Sequence, residues 1–155
     1  MKRVEKIFSD LVGGNHIDPK YMVGCSAEDI ANVERACCKP LPAEYESFLR
    51  LAGRGAGRLF QGTAIFYPRL LELHEDAIAL LSELGVPEVL PDKAFVFMMH
   101  QGYELKYFVP DRDDPEVVQF WEGQEGESFV WPSFSDFIRD RVQRHLSVMS
   151  SLNPE

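Results

Sequence analysis

What this chain lacks narrows its chemistry. It holds three cysteines in 155 residues, and two of them, Cys37 and Cys38, are adjacent, so no closed disulfide framework suggests itself and reduced thiols are expected. No run approaches the ~18 apolar residues needed to cross a bilayer. The start Met1-Lys2-Arg3-Val4-Glu5 sets charge around a lone valine, unlike a secretory signal. A cytoplasmic protein without a membrane partner is the expectation. Basic residues are also scarce, with 16 Lys and Arg against 25 Asp and Glu, a formal net charge of -9. A field of that sign repels phosphate backbones, and no Lys/Arg run offsets it, so nucleic acid is not an expected partner.

Catalytic signatures are missing as well. His16, His74, His100 and His145, with Cys25, Cys37 and Cys38, show no Cys-x-x-Cys or His-Glu-x-x-His spacing for zinc or a nucleophile. Cys37 and His74 fall on apolar stripes and read as core residues, and no Gly-x-Ser-x-Gly elbow occurs. The loop Gly53-Arg-Gly-Ala-Gly-Arg58 follows a helix end instead of opening a helix, the wrong polarity for phosphate, although Arg54 and Arg58 stay available to a partner. Asp111 to Glu122 puts carboxylates at positions one, three and twelve of a calcium loop, but Glu116 stands where that loop turns on glycine. Asp113 with Asp114, and Glu125 with Glu127, are sequence neighbours on loops, a poor basis for the fixed carboxylate separation of glycoside hydrolysis beside Trp121 or Trp131. No catalytic residue, metal or cofactor is expected, and the chain reads as a binding protein and not an enzyme.

What is present is a core. At 45% hydrophobic residues, a domain this long buries roughly 68 to 70% of its unfolded surface, enough to fold without staples. One domain over residues 1–150 is expected, with 151–155 as a frayed tail. Val4, Ile7, Phe8 and Leu11 have helical spacing before Gly13-Gly14. Ser26 and Asp29 form a start signal for a second helix with Ile30, Val33 and Cys37 inward, stopped by Pro40. The segment Leu41 to Gly53 is a third, with Pro42 in its first turn, Tyr45, Phe48, Leu49 and Ala52 on one face, and Gly53 suited to a left-handed end. Thr63 to Tyr67 favours a strand, and Leu70, Leu73, His74, Ala77, Leu81 and Leu84 stripe a further helix. The period then shortens: Ala94 to Met99, Tyr103 to Tyr107, Val117 to Trp121 and Phe129 to Trp131 read as an antiparallel meander. The last helix is capped by Ser135, with Ile138, Val142, Leu146 and Met149 inward and Arg139, Arg141 and Arg144 toward solvent. Strands in the middle and helices at both ends make an α+β domain, a mainly antiparallel sheet with one face covered by helices.

Three of these elements carry a resemblance. A Leu41-Pro42 pair opening a helix with Tyr45 and Phe48-Leu49, a Gly102-Tyr103 pair leading into an alternating strand, and the closing Ser133-Phe134-Ser135-Asp136-Phe137-Ile138 resemble the SUKH superfamily of bacterial toxin-immunity domains and yeast cell-wall-synthesis regulators. The resemblance spans Ser26 to Leu146. It implies a non-enzymatic module that neutralises a cognate toxin, typically a nuclease or deaminase, or alternatively a regulator or scaffold with no toxin partner.

The residues themselves offer an acidic, aromatic-edged surface for such a partner. Asp111, Asp113, Asp114, Glu116, Glu122, Glu125 and Glu127 fall in two turns with Phe120 and Trp121 between them, and a meander is expected to bring the turns near one sheet region. Carboxylates steer a basic protein inward while a desolvated ring supplies most of the binding energy. Asp113, Asp114, Glu116, Trp121 and Glu122 are the expected contact residues.

Overall fold

The computed structural model describes residues 1–123 and 129–152. In chain order these form α1 (Arg3–Gly13), β1 (Met22–Val23), α2 (Ala27–Ala36), α3 (Ala43–Ala52), β2 (Gly55–Ala56), β3 (Thr63–Ala64), α4 (Leu73–Glu83), β4 (Phe95–His100), β5 (Glu104–Phe108), β6 (Val117–Trp121), β7 (Phe129–Trp131) and α5 (Phe134–Leu152). β3 to β7 make one antiparallel sheet in sequence order, and β1 pairs with β2 in a second, two-stranded sheet. The α+β architecture and the meander are those the sequence pattern implies.

Helices cover the main sheet on both faces, where the sequence led us to expect one. Along β4 and β5, Phe95, Phe97 and Phe108 turn toward α3 and α5, and Tyr45 of α3 lies 5.1 Å from Phe108, 5.4 Å from Phe134 and 5.9 Å from Phe95, ring centroid to centroid. Phe95 and Phe97, two apart, share this face, and a bulge between Val96 and Met98 adds a residue to β4 so that Met98, not Phe97, lies opposite Lys106. α4 packs on β4 from the other side, where Met99 and Leu80 line the same hollow. Leu105 and Phe120, paired across β5 and β6, are buried there.

Several local expectations shift, each for a physical reason. Pro42 is the residue before α3, at φ -52° and ψ 132°, and not part of its first turn. Gly53 is right-handed, at φ -65° and ψ -16°. Glycine is required there by close approach, since an added Cβ would lie 2.4 Å from the Cys25 sulfur and 2.5 Å from the Leu49 carbonyl oxygen. Gly24 is tighter still, with the Arg50 carbonyl oxygen 1.9 Å from where a Cβ would stand. The strand expected over Thr63 to Tyr67 ends at Ala64, because the Tyr67 N–H donates to the Gly53 carbonyl at 2.8 Å and not to a neighbouring strand.

A 3-10 turn over Arg69–Glu72 precedes α4, so Leu70 and Leu73 align three apart while Ala77 and Leu81 continue four apart. His74, next to Leu73, is thereby turned outward and is exposed, not core. The residue capping α5 is Ser133, whose hydroxyl accepts from the Asp136 N–H at 3.0 Å. Ser135 is fully buried. Arg141 is half-buried instead of solvent-facing, and burial lowers its pKa first, with the Glu104 charge opposing. α5 continues to Leu152. No helix among the described residues is long and apolar enough to cross a membrane.

Candidate functional site

The five expected contact residues do not form one patch. β6 runs antiparallel to β5 with Tyr107 opposite Val118 and Glu104 opposite Trp121, so Asp113, Asp114 and Glu116 precede its first residue while Trp121 and Glu122 lie at its far end. From Glu116 to Trp121, five rises of about 3.3 Å separate the two groups by roughly 17 Å. In a meander successive turns occupy opposite ends of the sheet, and that overrules the expectation that both acidic turns share one region. Glu125 and Glu127 lie outside the described residues. Phe120 is buried against the sheet's second face and presents nothing to a partner.

At the first end the acidic turn is built into the fold. The carboxylate of Asp114 accepts the Ser135 N–H at 2.8 Å and its hydroxyl at 2.6 Å, placing negative charge at the start of α5 where the helix dipole favours it. Arg3 approaches the same carboxylate at 3.4 Å. The Asp113 carbonyl accepts the Glu44 N–H in the first turn of α3 at 2.9 Å. Glu44 in turn accepts the N–H groups of Arg3 and Val4 at the start of α1, both at 2.9 Å. The starts of α3 and α5 are thus bonded directly to two consecutive residues, and the start of α1 is joined to them through Glu44. Of this group, the side chains of Asp113 and Glu116 are exposed, and the Glu116 charge, after burial, helps raise the pKa of the Tyr107 phenol.

The second end carries apolar surface. Tyr103, Phe129 and Val130 are 41%, 46% and 43% exposed, and Trp121 is half-buried. The Glu122 N–H donates to the Tyr103 carbonyl at 2.8 Å, which fixes this turn beside the β4–β5 turn. β7 is one edge of the sheet and, among the described residues, pairs with β6 alone. Phe129 sits opposite Gln119, on the face that also bears Trp121. Beneath this rim, Lys106 is 1% exposed, and its Nζ donates to Glu104 Oε1 at 2.8 Å and stands 5.9 Å from the Trp131 ring centroid. Burial lowers the Lys106 pKa, with the Glu104 hydrogen bond opposing it. Trp131 is anchored inward, its Nε1 donating to Asp140 Oδ2 at 3.1 Å. Phe129 and Val130 escaped notice because a three-residue strand offers too little alternation to tell an edge from an interior.

Several other titratable groups are tied into the body of the fold. Arg54, left open for a partner by the sequence, forks onto buried Asp29 at 2.7 and 2.9 Å and lies 4.9 Å from the Tyr67 ring centroid. That hydrogen bonding holds the Asp29 carboxyl down at about 2. Burial pushes the Cys25 thiol up to about 11 and raises Cys37 further, the reverse of an activated thiolate. Among the described residues no three His, Cys, Asp or Glu side chains are grouped to hold a metal ion.

Residues 24–140 match the SMI1/KNR4 family (SUKH-1), well over half of the chain. No curated protein matches it.

Proposed function

From a chain that belongs to the SMI1/KNR4 family (SUKH-1), we infer a non-enzymatic protein-binding module that neutralises a basic, nucleic-acid-directed toxin. The observation that carries this reading is the exposed Phe129 of the edge strand, on the sheet face that also bears Trp121, with exposed Tyr103 in the turn fastened to Glu122. Aromatic anchors of this kind dominate protein interfaces, and an unpaired strand edge offers main-chain groups to a partner. The net charge of -9 supports a basic partner. Membership is equally consistent with a regulatory module, and it is the exposed aromatic rim joined to an acidic body that favours the immunity reading.

The two ends of β6 then divide the work. Asp113 and Glu116 act at long range, within a Debye length of about 8 to 10 Å, and raise the association rate. Trp121 and Phe129 are desolvated on contact and set the dissociation rate. The test is co-expression with the product of the gene that lies beside this one. Wild-type protein restores growth; Trp121→Ala with Phe129→Ala loses protection through faster dissociation, while Asp113→Lys with Glu116→Lys slows association at low salt only. A neighbouring gene product that harms no cell would move the assignment to the regulator.

A further inference from the structure

On another side of the molecule, α1, the segment after it, the small β1–β2 sheet and the second half of α5 enclose a cleft of about 790 Å3, open to solvent on one side. Its volume lies within the roughly 300–1,000 Å3 of ligand sites. Leu11, Leu59 and Leu146 give it an apolar floor, and Arg58, His16 and His145 line it with nitrogen-bearing side chains. Arg58 is exposed and forms no ion pair among the described residues. Asp18, the one carboxylate in the lining, is occupied: it accepts the Lys20 N–H at 3.0 Å and lies 3.6 Å from the Lys20 ammonium. Burial first, and then the adjacent Arg58 charge, lower the His145 pKa.

Its lining sets Arg58 against Asp18, but Asp18 is paired with Lys20, which leaves the guanidinium without a counter-charge among the described residues. An unpaired guanidinium over an aliphatic floor complements a carboxylate attached to an apolar group. Small-molecule sites bury 70 to 90% or more of their ligand; a cleft open along one side leaves such a molecule wet, and suits a segment held in place by the chain on either side of it.

We propose that the cleft is a second binding site, which takes a short acidic and aliphatic segment of a partner protein, its carboxylate on Arg58 and its aliphatic side chain on Leu11, Leu59 and Leu146. This does not rest on the strand-edge reading, since the cleft shares none of those residues. A basic toxin could occupy the edge while an acidic segment occupies the cleft.

The experiment is a titration of the 15N-labelled full chain, followed by NMR, with acetyl-Leu-Asp-Leu-Glu-amide, its counterpart acetyl-Leu-Lys-Leu-Lys-amide, and hexanoate. The acidic peptide shifts the amide signals of Gly57, Arg58, Leu59 and Leu146, and Arg58→Glu weakens that binding by about tenfold or more with an unchanged unfolding midpoint. Four results overturn the proposal: no shift at these amides, equal binding of both peptides, undiminished binding to Arg58→Glu, or hexanoate binding as tightly as the peptide, which would make this a small-ligand pocket. Concentration-dependent shifts of the same amides without peptide would assign the cleft to a second copy of the chain and overturn it too.

Discussion

Asp114 holds the start of the last helix through Ser135, one carboxylate oxygen on the backbone N–H at 2.8 Å and the other on the hydroxyl at 2.6 Å. The two residues are far apart in sequence, so the contact fastens the β5–β6 turn to α5. Hydrogen bonds to a charged group contribute about 1.5 to 3 kcal/mol. Asp114→Ala is therefore expected to lower unfolding stability by about 2 to 3 kcal/mol, while Asp114→Asn, which keeps an acceptor for the N–H, loses less. Urea unfolding of both variants decides it; a fully stable Asp114→Ala would show that Ser133 alone suffices as the cap.

The Asp29–Arg54 pair makes stability depend on acid. Its hydrogen bonds hold the Asp29 carboxyl at about 2 against an ordinary 3.8. A depressed carboxyl stabilises the folded state fully above its unfolded value and ceases to do so as pH falls through its folded one. The wild-type urea midpoint is thus expected to fall between pH 3.8 and 2 more steeply than that of Asp29→Asn. Parallel curves would refute the pairing.

Much of this body was legible locally. The Ser26 and Asp29 start signal appears as reciprocal hydrogen bonds at 3.1 and 3.0 Å, and the Tyr45, Phe48, Leu49 and Ala52 stripe of α3 is fully buried. What escaped the sequence is pairing across distance. Glu44 capping α1 and Asp114 capping α5 leave no spacing rule, because the partners are brought together by the sheet and not by a helical or strand period. The candidate contact residues were split for the same reason: the pattern gave each turn, but the end of the sheet it occupies follows from strand direction.

Lys106 is a buried cation with Glu104 as its hydrogen-bonding counter-ion. Removing one member of such a pair costs about 3 to 5 kcal/mol, whereas replacing both by neutral groups is often nearly without effect. Glu104→Ala is expected to destabilise by about 3 kcal/mol, and Glu104→Gln with Lys106→Met to restore most of the loss. Thermal and urea unfolding of the single and double variants form the necessary cycle.

The Tyr45 hydroxyl is buried among phenylalanine rings with no hydrogen-bond partner among the described residues. An unsatisfied buried hydroxyl costs about 1 to 3 kcal/mol. Tyr45→Phe is accordingly expected to be at least as stable as the wild type, by up to about 1 kcal/mol. A clear loss of stability in urea would reveal a bond to that oxygen.

Since α3 and α5 are fastened at Asp113 and Asp114, with α1 joined to them through Glu44, the two ends of the sheet differ in how freely they can evolve. Losing the Asp114 carboxylate unsettles that end of the body, whereas Asp113 holds α3 through its main-chain carbonyl and leaves its own side chain free to vary. The opposite rim, where the described turns tie down no helix start, carries no such constraint, and side chains can be exchanged there without rebuilding the body.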